Sequence, residues 1–234
     1  MKFAQPLIRG TLVRRYKRFL ADVVLDTGEE VTAHCANPGS MMGLSASGLG
    51  VWLEPATDPK RKLQFSWRLV ELPDGHWAGI DTGVPNKVVG EALRAGLIPE
   101  LSGSDEFRAE QRYGENSRID FLGVGGGQPD TYIEVKNVHL RRDGDWAEFP
   151  DSVTARGAKH LRELSEMVAT GHRAVMLYCV QRDDCARMRL AKDLDPAYAV
   201  AFKEAREAGV EAIAWICRIS KDEIVLDRPL PIAV

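Results

Sequence analysis

No apolar run in the 234-residue chain approaches the ~20 residues that a membrane helix needs, which argues against a spanning helix, and no membrane partner is expected. The stretch MKFAQPLIRG lacks the apolar core of a secretory leader, so the chain reads as cytoplasmic. Cysteine is sparse. Cys35, Cys179, Cys185 and Cys217 are scattered without a CxxC pair and read as reduced, buried thiols. The glycines of GVGGGQPD lack dinucleotide-fingerprint spacing and turn a hairpin rather than open a helix. No glycine-rich phosphate loop or sugar-binding pattern supports a small-molecule-responsive regulator. Nothing resembles a helix-turn-helix, so strong sequence specificity toward DNA is not expected. Internal repeats and low-complexity tracts are absent too.

What remains is ordinary globular material, 44% hydrophobic and 28% charged, with a net charge of −3. Its charge is unevenly spread. The first twenty residues carry Lys2, Arg9, Arg14, Arg15, Lys17 and Arg18 and no acid, whereas residues 83–150 hold eight bases against twelve acids. A basic segment followed by an acidic one suits a chain that attracts a polyanion in one place and gathers carboxylates in another.

Two halves differ in pattern. In residues 1–82 short apolar runs (LADVVL, LGVWLE, FSWRLVEL, HWAGI) alternate with the turn formers DTGE, NPGS, DPKR and PDGH. That spacing predicts a small β-barrel or sandwich, an OB-type barrel being one candidate. Residues 86–97 read as a short helix with Asn86 as N-cap, opening a second domain at residues 83–234. There, strands near RAEQRYG and along a hairpin precede a helix at about 152–170. Its apolar stripe is Val153, Leu161, Leu164 and Val168, with Gly157 allowing close packing. A strand RAVMLYCV, a helix at AYAVAFKEAREAG and a strand VEAIAWICRI follow, predicting an α/β domain with a mixed sheet. HLRRDGDWAEFPDS, residues 139–152, reads as a long charged loop.

The hairpin RIDFLGVGGGQPDTYIEVKNV, residues 118–138, carries the chemistry. Period-two alternation puts Ile119, Phe121, Ile133 and Val135 on one face and Asp120, Glu134 and Lys136 on the other. In a symmetric, unbulged hairpin Asp120 and Glu134 stand opposite, with Cβ atoms roughly 4.5–5.5 Å apart. Two carboxylates that close repel unless a cation or proton lies between them. On one reading the polar face is solvated and Lys136 neutralises its neighbours. On the other, Asp120 and Glu134 are hard-oxygen ligands for Mg²⁺ or Mn²⁺, and Lys136 orients a water or holds a phosphate. The following helix bears Arg156, Lys159 and His160, expected on the face away from its apolar stripe, and such cations suit a phosphodiester substrate. His160 is expected beside the site or at the surface rather than as a ligand.

In LVRRYKRFL, the cations Arg14, Arg15, Lys17 and Arg18 interleave with Tyr16 and Phe19. This mix suits phosphate contacts and base stacking on single strands, or else defends a strand edge against aggregation. The turn NPGSM, residues 37–41, has a polar backbone that could approach a phosphate. KRK, residues 60–62, reads as a solvated loop.

The segments LVRRYKRFLADV, CANPGSMMG, ENSRIDF, YIEVKNV, FPDSVTARGAKHLREL and the ending LPIAV resemble the SfsA (sugar fermentation stimulation protein) family over nearly the whole chain. The resemblance implies an N-terminal OB-like barrel followed by a mixed α/β domain of the PD-(D/E)-x-K nuclease type. It also implies DNA binding linked to the regulation of sugar utilisation, notably of maltose. The nuclease-type motif falls on Asp120, Glu134 and Lys136, and the DNA-facing cations on Arg14, Arg15, Lys17 and Arg18. Ile119 stands where the pattern often has proline, a permissive departure. A nuclease-like core can persist as a binding module, so non-specific DNA binding and Mg²⁺- or Mn²⁺-dependent cleavage of single-stranded, duplex or branched DNA are the two functions to separate.

Overall fold

The computed structural model describes residues 1–114 and 117–233. Glu115 and Asn116, which begin ENSRIDF, and the last residue, Val234, lie outside the described residues.

Six strands build the first half: β1 (Ile8–Tyr16), β2 (Leu20–Leu25), β3 (Glu30–Cys35), β4 (Gly50–Pro55), β5 (Phe65–Glu71) and β6 (Trp77–Gly79). Their order is β3-β2-β1-β4-β5-β6, and a parallel pairing of β3 with β5 closes five of them into a barrel. Ala21, Val23 and Leu25 alternate inward along β2 and meet Leu12, Val51, Leu53 and Trp67 in one core. The buried Trp67 indole donates to the Leu69 carbonyl at 2.9 Å, so its polar atom does not oppose burial. The expected small barrel is therefore present.

The second half contains α1 (Val84–Arg94), β7 (Glu106–Tyr113), β8 (Ser117–Val124), β9 (Thr131–Val138), β10 (Trp146–Phe149), α2 (Ala155–Ala169), β11 (Arg173–Val180), β12 (Arg187–Leu190), α3 (Pro196–Glu207), β13 (Glu211–Ile219), β14 (Ile224–Leu230) and β15 (Ile232–Ala233). A six-stranded sheet runs β14-β13-β11-β9-β8-β7, with β9, β11 and β13 parallel and the outer pairings antiparallel. Both faces are covered. Met176, Tyr178 and Val180 of β11 pack into the core of α2 and α3, while Val175, Leu177 and Cys179 pack into the core of α1. That is why β11 reads as a continuous apolar run rather than an alternating one.

Four departures from the sequence reading matter. The first helix starts at Val84 with Gly83 before it and Pro85 in its first turn, so Asn86 is not its cap. The long helix starts at Ala155, capped by the Thr154 hydroxyl accepting from Gly157 N at 3.1 Å, which leaves Val153 outside it and 75% exposed. The segment 139–152 is not all loop, because its Trp146–Phe149 stretch pairs in parallel with β12. Finally, Ile119 and Phe121 do not share a face. Ile119 joins the α2/α3 core and Phe121 the α1 core, so β8 turns over at Asp120.

The two halves interlock. Met1 N donates to Ile224 O at 2.7 Å and Phe3 N to Asp222 O at 3.0 Å. Gly79 N donates to Gln181 O at 2.9 Å, and Trp77 N to Asp183 at 2.8 Å.

Candidate active site

The turn-over at Asp120 creates the site. Antiparallel pairing of β8 with β9 runs from Gly123–Thr131 to Phe121–Ile133 and stops there. Beyond that point the Val135 N–H donates to Asp120 Oδ2 at 2.7 Å. Asp120 Oδ1 accepts from the Asn86 amide at 2.6 Å, so α1 fixes the other oxygen. Burial, then the nearby Glu134 charge, pushes the Asp120 carboxyl up to about 6 against these two hydrogen bonds.

Glu134 projects under α2 and is 3% exposed. The solvated-face reading fails here, because the polar face of β9 is covered by a helix. Glu134 Oε1 accepts from Lys136 Nζ at 2.7 Å and from His160 Nδ1. His160 Nε2 in turn accepts from Arg156 Nε at 3.2 Å. An accepting Nε2 leaves the ring proton on Nδ1, pointed at the carboxylate. Burial opposes ionisation of Glu134, but the His160 bond and the Lys136 charge outweigh it, and its carboxyl sits below the usual range. Glu134 Oε2 is buried with no hydrogen-bond partner among the described residues.

Sequence periodicity placed His160 away from the apolar stripe of α2. It is instead 5% exposed and lies within that helix's buried side, along with Glu163. Glu163 accepts from the Ser117 hydroxyl at 2.8 Å and lies 3.3 Å from Lys159. Beside this group Tyr113, Ser117, Arg112 and Arg118 line a surface cleft. The buried Tyr113 hydroxyl has no hydrogen-bond partner among the described residues; burial, then the charges of Glu134, Glu163 and Asp120, push it upward. Arg156 and Lys159 remain at the surface near the site. Asn86 and Tyr113 were missed in the sequence, although a polar residue in the first turn of an otherwise apolar helix was a usable signal.

The basic segment divides. A bulge between Leu12 and Arg14 shifts the register of β1 against β2. With that extra residue Arg14 turns out to Asp22 at 2.8 Å, while Arg15 turns in, its Nη2 donating to Asn37 O at 2.8 Å and Gly39 O at 2.9 Å. Arg15 thus props the NPGSM turn instead of facing solvent with the others. The far side of that turn is held by Asp151, whose Oδ2 accepts from Ser40 N at 3.1 Å and lies 3.3 Å from His139 Nε2. A Cβ on Gly39 would stand 2.6 Å from that oxygen, so a larger residue there would push the Asp151 carboxylate off the turn. Burial raises the Asp151 carboxyl, but His139 and the backbone donors bring it down to about 2. Lys17 and Arg18, in the β1–β2 turn, are exposed.

Two family profiles fit the chain: the SfsA N-terminal OB domain over residues 13–80 and the sugar fermentation stimulation protein RE domain over residues 83–223. The chain belongs to the SfsA family. A sugar fermentation stimulation protein homolog of Dinoroseobacter shibae is 64% identical over 233 residues, covering 99% of this chain and 96% of the relative. One of Paramagnetospirillum magneticum is 55% identical over 230 residues, 98% of this chain and 97% of the relative. The solved structure of Pyrococcus furiosus SfsA in complex with Ca²⁺ matches with a TM-score of 0.87 at 28% identity, covering 100% of both chains. The OB assignment agrees with the five-stranded barrel. As a member of the family, the chain carries the Asp120, Glu134 and Lys136 group in its RE-domain portion.

No group of three or more His, Cys, Asp or Glu side chains among the described residues is spaced to hold a metal. Two carboxylates with waters completing the shell are nonetheless a common arrangement for Mg²⁺. The orphaned Glu134 Oε2 fits such an ion. No helix among the described residues is long and apolar enough to cross a membrane.

Proposed function

We propose that the chain is a DNA-binding protein of little sequence preference, with a barrel unit at 1–82 and an α/β unit at 83–234 that holds Mg²⁺ or Mn²⁺ at Asp120 and Glu134. The observation that carries the metal is Glu134 Oε2, an ionised oxygen sealed from water without a donor. An unmet buried polar atom costs about 1–3 kcal/mol, and a cation at that oxygen removes the penalty. The Ca²⁺ in the Pyrococcus furiosus relative supports a hard-cation site in the family. When bound, a divalent ion would polarise a phosphoryl oxygen and acidify a coordinated water. The chain's own residues position the rest. Asn86 and Val135 N orient Asp120, His160 orients Glu134, and Lys136 sets an ammonium where a phosphate oxygen would approach. Arg14, Lys17 and Arg18 on the barrel, with Arg156 and Lys159 on α2, supply charge for the strand backbone. A DNA-binding member of this family would act in the cytoplasm as a regulator of sugar utilisation, maltose included.

Cleavage of DNA phosphodiesters is the second reading, favoured by the Lys136 ammonium 2.7 Å from a candidate metal-binding carboxylate. The test is incubation of the purified protein with single-stranded, duplex and branched DNA, with Mn²⁺ or with chelator, for the parent and Lys136→Met. Binding alone predicts retention of DNA without cuts and a modest affinity loss in the variant. Hydrolysis predicts Mn²⁺-dependent cuts that vanish in the variant at nearly unchanged affinity. Failure to retain any DNA form at low salt overturns both.

A further inference from the structure

We infer that Phe19 and His34 form a stacking platform for an unpaired base, so that the barrel face takes single-stranded nucleic acid in preference to duplex. This rests on the DNA-binding reading and names the form of nucleic acid it takes. Phe19 is 45% exposed, an aromatic ring held in water at the tip of the β1–β2 turn. It does not dangle. Its ring lies nearly parallel to that of His34 on β3, at 19° and 6.4 Å between centroids. Cys35 N donates to Phe19 O at 2.8 Å, and Phe19 N donates to Lys17 O at 2.7 Å.

The turn that presents the ring also presents charge. Lys17 and Arg18 adopt left-handed backbone angles, φ 48° and 63°, which non-glycine residues rarely occupy. Neither has an ion-pair partner among the described residues. A third cation, Arg61 from the KRK loop, lies near enough to His34 that burial, then its charge, lowers the imidazole pKa. His34 is therefore neutral at physiological pH and offers a flat π-face. Next to the turn, Arg14 covers the Tyr16 ring at 4.8 Å. A partly exposed aromatic pair, with cations on its own turn and on the KRK loop, matches what a strand with splayed bases requires: a face for the base and charges for the flanking phosphates. Duplex bases are already stacked on each other, so the ring gains nothing from them.

Fluorescence anisotropy with three labelled probes distinguishes the outcomes: a short oligo-dT, the same strand made abasic, and a duplex of equal length. Phe19→Ala should weaken oligo-dT binding roughly five- to a hundredfold, as expected for loss of one stacked base. Abasic-strand and duplex affinities should not change, and Phe19→Trp should restore oligo-dT binding. His34→Ala should give a smaller loss with the same probe pattern. Equal weakening on the abasic strand, or unchanged oligo-dT affinity in a parent that does bind DNA, overturns the platform and leaves DNA binding standing. A parent that binds none of the probes overturns both. Because nearly half of Phe19 is exposed, unfolding curves of its variants should stay close to the parent's.

Discussion

Lowering the pH from about 8 to about 5 should weaken Mn²⁺ binding roughly tenfold, through a single proton. Glu134 is held ionised by His160 and Lys136, so it stays a ligand across this window. Asp120 does not, because its carboxyl is pushed up to about 6 by burial and by Glu134. At about pH 5 only about one molecule in ten presents the carboxylate, and above about pH 7 nearly all do. Isothermal titration at four pH values should show affinity rising about tenfold per pH unit at the acid end and levelling off near neutrality. The same shift has a consequence without metal. A carboxyl whose folded pKa lies above its unfolded value contributes stability below about pH 4 that is lost as pH rises to about 6. The two-unit rise amounts to roughly 3 kcal/mol. Asp151 and Asp184, held at about 2, act in the opposite direction, losing stability in acid. The difference between the parent and Asp120→Asn isolates the Asp120 contribution, and it should shift in favour of the variant between pH 4 and pH 7. Mn²⁺ affinity that is flat from pH 5 to pH 8 would refute Asp120 as a ligand.

Glu134→Ala should destabilise the fold by about 3 kcal/mol in urea, because it leaves Lys136 and His160 buried without their acceptor. Glu134→Gln, which keeps an acceptor, should cost about 1 kcal/mol yet still abolish Mn²⁺ binding. Equal stability losses would show that the carboxylate charge is not balanced as described. Replacing Lys17 and Arg18 with Ala should reduce the log–log salt slope of DNA binding by about 0.7–0.9 per lost phosphate contact. Arg15→Ala should instead lower the melting temperature and leave the slope alone, since its guanidinium holds Asn37 and Gly39 carbonyls.

The elements that read clearly in the sequence are those whose pattern is local. RAVMLYCV and VEAIAWICRI became β11 and β13 because strands buried on both faces need unbroken apolar runs. The GGGQPD turn and the E-x-K strand were equally legible, since turn formers between two β-rich runs leave little choice. What escaped depends on distant partners. A bulge at Val13 cannot be seen in LVRRYKRFL, yet it decides that Arg15 faces inward and Arg14 outward. The turn-over at Asp120 arises because its carboxylate replaces a ladder partner for Val135, a tertiary event that strand periodicity assumes away. Asn86 looked like a cap because caps are polar residues at helix starts, but the carboxylate of Asp120 competes for it. His160 sat in a wider buried stripe than four apolar residues outline, because Glu134 beneath it needs a donor. The strands of β10, β12 and β15 are two to four residues long and lie in charged or proline-bearing segments without a period to read.

The most direct measurement is the affinity of the purified protein for two unrelated DNA sequences, each single-stranded and duplex, across a series of salt concentrations. The charge arrangement of the barrel turn and α2 predicts closely similar affinities for the two sequences and a linear log–log fall with salt. No binding at low salt, or a preference of a hundredfold or more for one sequence, would contradict a non-specific DNA-binding protein.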